Sequence, residues 1–234
     1  MKVGVIQSNY LPWRGYFDFI DDVDLFIFHD DLQYTKHDWR NRNKIKTDRG
    51  PVWLTVPVHY GRTSQLICET TIDSSQPWNR RHMRLLESWY GKAPHFPVYR
   101  EELFEILSRP FETISDLNII LCRWVMDQFA IKTPLRRSSE FRPKGMKTER
   151  LIDLLGKAGA TTYLSGPAAK EYLDVSLFRR HAIRLEYKRY DYEDYPQLWG
   201  GFLGEVTALD LLFNAGPKSR EYLKSRAPNE IAVD

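Results

Sequence analysis

Lys2-Val3-Gly4-Val5-Ile6 runs straight into Gln7-Ser8-Asn9-Tyr10-Leu11-Pro12-Trp13-Arg14-Gly15-Tyr16-Phe17, and Leu25-Phe26-Ile27-Phe28 runs into His29-Asp30-Asp31-Leu32-Gln33-Tyr34. The two apolar runs, each closed by a polar turn, have the signature of buried strands. Between them Tyr16, Phe17, Phe19, Ile20 and Val23 recur at helical spacing, so residues 15–23 form a short helix. Strand, helix and strand make a βαβ unit with parallel pairing. The fold class that follows is α/β, Rossmann-like, with a mostly parallel sheet.

Downstream, residues 52–58 are a third strand ending near Pro57, and 66–72 a fourth that pairs with it around Gly61. Residues 77–90, 97–107 and 111–129 are helical, the first opened by Asp73-Ser74-Ser75. Alternation then resumes: helix 147–157, strand 161–164, a helical turn over 168–173, strand 183–187 and closing helices at 207–213 and 218–224. The last few residues look loose. No linker is evident. The expected organisation is one α/β domain over 1–234 with a helical insertion at about 77–130.

Composition narrows the class. The 234 residues suffice for a sizeable core, and 42% hydrophobic with 28% charged is an ordinary globular balance. A net charge of +3 does not identify a nucleic-acid binder, although cations cluster at Arg40–Lys46, Arg80–Arg84, Arg136–Lys147 and Arg179–Arg189. Cys68 and Cys122 lie far apart in apolar company, as reduced, buried thiols do. No apolar run reaches the ~20 residues of a membrane span. The N-terminal strand is too short and too soon polar for a secretory signal. The expected location is the cytoplasm.

Ligands of open α/β sheets bind past the carboxyl ends of the strands. Gln7, Asn9, Tyr10, Trp13, Gly15 and Tyr16 lie past the first, where a helix N-terminus can receive an anion. His29, Asp30, Asp31, Gln33 and Tyr34 lie past the second. Adjacent carboxylates can take a proton or accept sugar hydroxyls, but neighbours in an extended segment point apart, so one of Asp30 and Asp31 enters the site. If residues 39–44 are extended, Arg40, Arg42 and Lys44 share one face and can hold a diphosphate. Trp39, Asn41 and Asn43 then share the other, and Trp39 offers a stacking surface. Ser165-Gly166 with Lys170 can present a hydroxyl, backbone N–H groups and an ammonium to an anion. There is no P-loop, no Gly-x-Ser-x-Gly elbow, no dinucleotide fingerprint and no Cys/His metal spacing, so no metal is assigned.

These motifs resemble the WbqC-like protein family over nearly the full length. The resemblance rests on 7–17, on Asp30-Asp31-Leu32-Gln33-Tyr34, on Trp39-Arg40-Asn41-Arg42-Asn43-Lys44-Ile45 and on Tyr163-Leu164-Ser165-Gly166 with Lys170 and Tyr172. It closes with Tyr195-Pro196-Gln197-Leu198-Trp199-Gly200-Gly201-Phe202 and Leu209–Pro217. Ser8 stands where the family often has Pro. The resemblance implies a bacterial protein of O-antigen (lipopolysaccharide) and other surface-polysaccharide biosynthesis, acting on nucleotide-linked sugars. A fold-level analogy to nucleotidyltransferases is also visible. Where their turn carries His-x-Gly-His, this chain has Trp13-Arg14-Gly15-Tyr16, without imidazoles for a pentavalent phosphate.

The leading expectation is an acyl- or aminoacyltransferase acting on the amino group of a nucleotide-linked amino sugar. Arg40, Arg42 and Lys44 hold the diphosphate, while Trp13, Tyr16 and Trp39 form stacking walls. Asp30 or Asp31, with His29 nearby, handles the proton, and Ser165, Gly166 and Lys170 bind the donor. That donor is an acyl or aminoacyl thioester, as on an acyl carrier protein, an aminoacyl-tRNA, or an acid activated with ATP. Two alternatives stand beside it: a non-catalytic nucleotide-sugar-binding or assembly protein, and a tRNA- or RNA-binding protein.

Overall fold

A computed structural model describes all 234 residues. Six strands form one sheet: β1 (Lys2–Ile6), β2 (Leu25–Phe28), β5 (Leu135–Arg137), β6 (Thr162–Ser165), β7 (Arg184–Tyr187) and β8 (Glu230–Val233), with β3 (Arg42–Thr47) and β4 (Gly50–Thr55) making a separate hairpin. The spatial order is β5-β2-β1-β6-β7-β8, parallel throughout except for β8, which is antiparallel to β7. Seven α-helices accompany them: α1 (Arg14–Asp21), α2 (Trp78–Tyr90), α3 (Phe96–Ser108), α4 (Ile114–Gln128), α5 (Lys147–Lys157), α6 (Val175–Arg180) and α7 (Ala208–Ala215).

Both sheet faces are covered, and alternation along the strands decides which residue faces which layer. Phe26, Phe28 and Leu164 join the larger core with α1, α2, α3, α4 and α7. Val3, Val5, Ile27 and Tyr163 join the smaller one under α5 and α6. Gly4 has no side chain because α1 needs the space: a Cβ there would lie 2.5 Å from the Phe19 ring. The sheet is therefore the doubly wound, mostly parallel one that the βαβ pattern predicts.

The expected fourth strand at 66–72 is absent. Thr70 Oγ1 donates to Leu66 O at 2.8 Å and Gln65 Nε2 to His59 O at 2.8 Å. These local bonds turn Ile67–Glu69 into a 3-10 helix, leaving isolated bridges such as Val58 with Ile72. The C-terminal residues, expected to be loose, pair as β8. Cys68 is half-buried rather than buried, and both thiols are free. No helix is long and apolar enough to cross a membrane.

Candidate functional site

The chain leaves β1 for β2 on one side and returns through α5 to β6 on the other, so strand order reverses beside β1. Such a reversal opens a crevice at the carboxyl ends of the strands. Here two clefts flank it, one on the hairpin side and one under α5.

The hairpin-side cleft, about 330 Å³, is lined by Asn9, Pro12, Trp13, Trp39, Asn43 and Glu205. Each wall is fixed by the backbone. Pro12 O accepts from Ala208 N at 2.8 Å, and Trp13 bridges to Thr207. Trp13 packs edge-on against Tyr190 and Tyr192 at 5.0 and 5.8 Å. Gly15 makes room for that indole, because a Cβ would come within 2.3 Å of it. Asn43 Nδ2 donates to Leu11 O at 2.7 Å, and Asn43 Oδ1 accepts from Lys44 N at 2.7 Å. Asn9 lines this cleft, and its Oδ1 is buried with no partner.

The outer lip is aromatic and cationic. Trp39 and Trp53 lie 5.5 Å apart and are 42% and 40% exposed. Arg42 stands 4.3 Å over the Trp53 ring, and Lys44 Nζ is 5.6 Å from each indole. Glu205 faces Lys44 at 3.6 Å. Large exposed indoles beside cations are the surface that flat, anionic ligands use.

The second cleft, about 540 Å³, holds Gln7 and His29 from the strand ends and Lys147 and Arg150 from α5, with Leu32, Leu151, Tyr163 and Leu173 among its apolar walls. His29 Nε2 is buried without a hydrogen bond, 3.7 Å from Asp31 Oδ1. Burial holds the His29 imidazole below its ordinary pKa, against the opposing pull of Asp31.

Several of the expected site residues serve as ties. Asp30 is buried; its Oδ1 accepts from Ser8 N at 2.7 Å and its Oδ2 from Ser115 Oγ. Asp31 accepts from Arg150 Nη2 at 2.7 Å and from Ser138 Oγ. Tyr10 OH meets His82 Nδ1 at 2.8 Å, and Tyr16 OH donates to Gln7 O at 3.0 Å. Asn41 Nδ2 donates to Val56 O at 2.8 Å. Tyr34 is buried against Tyr60, with Gln33 exposed beside it. Arg40 lies in the turn before β3 and points back to Gln7 Oε1 at 3.0 Å, so only Arg42 and Lys44 share the outer face of the strand. Ser165 is buried against Tyr163, Gly166 caps a 3-10 helix, and Lys170 pairs with Glu230 at 2.6 Å. No cluster of three or more His, Cys, Asp or Glu side chains gathers as a metal site would.

The C-terminal motif holds the hairpin. Asp210 accepts from Tyr90 OH at 2.7 Å, Tyr195 OH at 2.9 Å and Gln197 Nε2 at 2.7 Å. Lys46 of β3 reaches Gln197 Oε1 at 2.9 Å, and its N–H donates to Tyr90 OH at 3.0 Å. Burial raises the Asp210 pKa above the ordinary carboxylate range, opposed by these donors. Pro12, Glu205, Lys147 and Arg150 were missed as site residues. Glu205 comes from a distant segment with no local pattern to mark it; Lys147 ends the Arg136–Lys147 cation cluster, but nothing local ties that cluster to this cleft.

A doubly wound α/β protein with an aromatic, amide-lined cleft at its switch point is the class so defined. The WbqC-like protein family model matches residues 7–222, and the chain belongs to that family. It is also similar to an uncharacterized protein of Mycobacterium tuberculosis, 47% identical over 226 residues, 95% of this chain and 97% of that one. No solved structure matches it significantly.

Proposed function

We propose that the chain binds a nucleotide-linked amino sugar in the hairpin-side cleft and transfers an acyl or aminoacyl group to its amino nitrogen. The observation that carries the binding is the conjunction of Trp13 and Trp39 on the walls, Arg42 and Lys44 at the lip and the unpartnered Asn9 Oδ1 inside. In this reading the base stacks on Trp39, Arg42 and Lys44 hold the diphosphate, and Asn9 takes a sugar hydroxyl or amide. The resemblance to proteins of surface-polysaccharide biosynthesis supports a sugar acceptor modified in the cytoplasm before export.

In the transfer the amine nitrogen bonds to the donor's carbonyl carbon. The carbonyl–sulfur or carbonyl–oxygen bond breaks, and the amine proton passes to the leaving group. Glu205, the carboxylate on the cleft, relays that proton. Purified protein incubated with nucleotide-linked amino sugars and acyl or aminoacyl donors should yield an acylated sugar by mass spectrometry. No product with any pair counts against transfer.

Binding without turnover is the second reading. What favours it is that Asp30 and Asp31 already hold structural donors, which removes both carboxylates expected to act as a base. Thermal stabilisation by a nucleotide sugar with no product in any incubation would select it.

A further inference from the structure

We infer that the cleft under α5 is a second ligand site, for a small organic anion with an apolar body, whose carboxylate or phosphate head meets Lys147 and His29. Both residues line one cavity, His29 from the end of β2 and Lys147 from the start of α5. The salt bridges here join Asp31 to Arg150 and to His29, and Lys147 belongs to neither. Lys147 is exposed to solvent and free of any ion pair, so its ammonium is open to an anion at the cavity. Lys147 also holds a left-handed backbone, φ 50°, a conformation that costs a non-glycine residue about 1–2 kcal/mol.

His29 supplies the second polar contact. Its Nε2 is buried without a partner, and Asp31 Oδ1 at 3.7 Å is beyond hydrogen-bond range. That nitrogen is closed to solvent in this structure, so a ligand oxygen would meet it only after the ring turns toward the cavity that His29 lines. The body of the ligand would lie on Leu32, Leu151 and Tyr163. Tyr172, 72% exposed, forms the rim of the same cavity. An apolar floor with one free cation and one unsatisfied imidazole selects against neutral polar molecules and against large polyanions.

The role of this ligand as the acid portion of the acyl donor rests on the transfer reading above; the binding does not. Ser165, Gly166 and Lys170, expected to receive the donor, are engaged elsewhere, and this cavity begins at the neighbouring Tyr163.

The test is an NMR titration of the full, isotope-labelled chain with 3-phenylpropanoate, phenyl phosphate and the neutral 3-phenylpropanol, without nucleotide sugar. Saturable shifts of the His29 imidazole and the Leu151 methyls with at least one anion, and weaker ones with the alcohol, are expected. The tighter of the two anions identifies the head group. Lys147→Ala and Lys147→Gln should each weaken the anion about fivefold, as loss of one solvent-accessible charge contact does. No saturable shift, equal binding of the alcohol, shifts confined to another region or unchanged affinity in both variants would overturn the site. Nucleotide sugar is absent throughout, so failure of the hairpin-side cleft to bind it leaves these outcomes readable.

Discussion

Arg40 Nη1 donates to Gln7 Oε1 at 3.0 Å, pinning the turn before β3 to the end of β1. Trp39 is the preceding residue, and its carbonyl accepts from Tyr10 N at 2.9 Å. The indole at the outer cleft wall is therefore positioned from two sides of the strand end. Arg40→Ala leaves Gln7 Oε1 unpaired in a part-buried setting, at about 1–3 kcal/mol. We expect a lower melting temperature and weaker nucleotide-sugar binding, while Arg40→Lys recovers part of the first and little of the second. Differential scanning fluorimetry with and without ligand checks both.

Asp30 joins Ser8 to Ser115, across β1 and α4. Asp30→Ala strands two buried donors at about 1–3 kcal/mol each, which lowers the melting temperature by at least about 4 °C in a chain of this size. Asp30→Asn keeps an acceptor for Ser8 N and should lose about half as much. Folded Asp30→Asn protein that binds nucleotide sugar normally would support the tie; lost binding without lost stability would speak for direct ligand contact.

Gly15→Ala drives a methyl to within 2.3 Å of the Trp13 indole. The ring must leave its place between Gly15 and Tyr190, an overpacking cost of about 1–3 kcal/mol. Near-ultraviolet circular dichroism should change, and affinity in the hairpin-side cleft should fall with it. An unchanged spectrum with unchanged affinity would show that Trp13 does not shape the cleft.

His82 is buried beneath Tyr10, and that burial pushes its pKa down to about 4. Unfolded, the imidazole titrates near 6.5. Between those values the unfolded chain binds more protons, so stability is full above pH 6.5 and falls as pH drops toward 4. The slope is at most one proton, about 1.4 kcal/mol per pH unit. Denaturant melts across that window should show it, and His82→Gln should flatten it.

The parallel core was legible because β1 and β2 are short apolar runs ended by polar turns, and α2 to α5 carry helical apolar spacing. β3 was harder to read as a strand, since Arg42-Asn43-Lys44 is polar and its inward Asn43 is satisfied by the carbonyls of Tyr10 and Leu11. β5 and β8 are short edge strands whose pairing partners supply the order. Around the hairpin-side cleft, Asn9 and Trp13 stand out in the sequence by position past β1, and Trp39, Arg42 and Lys44 by alternation along 39–44. The diversion of Arg40 to Gln7 and of Asp30 to Ser8 was not, because each depends on a partner in another segment. The Tyr195–Phe202 run reads as a motif, but its role appears only when Asp210, Tyr90 and Lys46 are brought together around it.

The central claim is that the hairpin-side cleft takes a nucleotide-linked sugar on Trp39. Isothermal titration calorimetry of the wild-type chain and Trp39→Ala with UDP- and dTDP-linked amino sugars tests it most directly. Base stacking contributes about 1–3 kcal/mol per ring, so the variant should bind about fivefold or more weakly while melting at the wild-type temperature. No binding by the wild-type chain, or equal affinity in the variant, would contradict it.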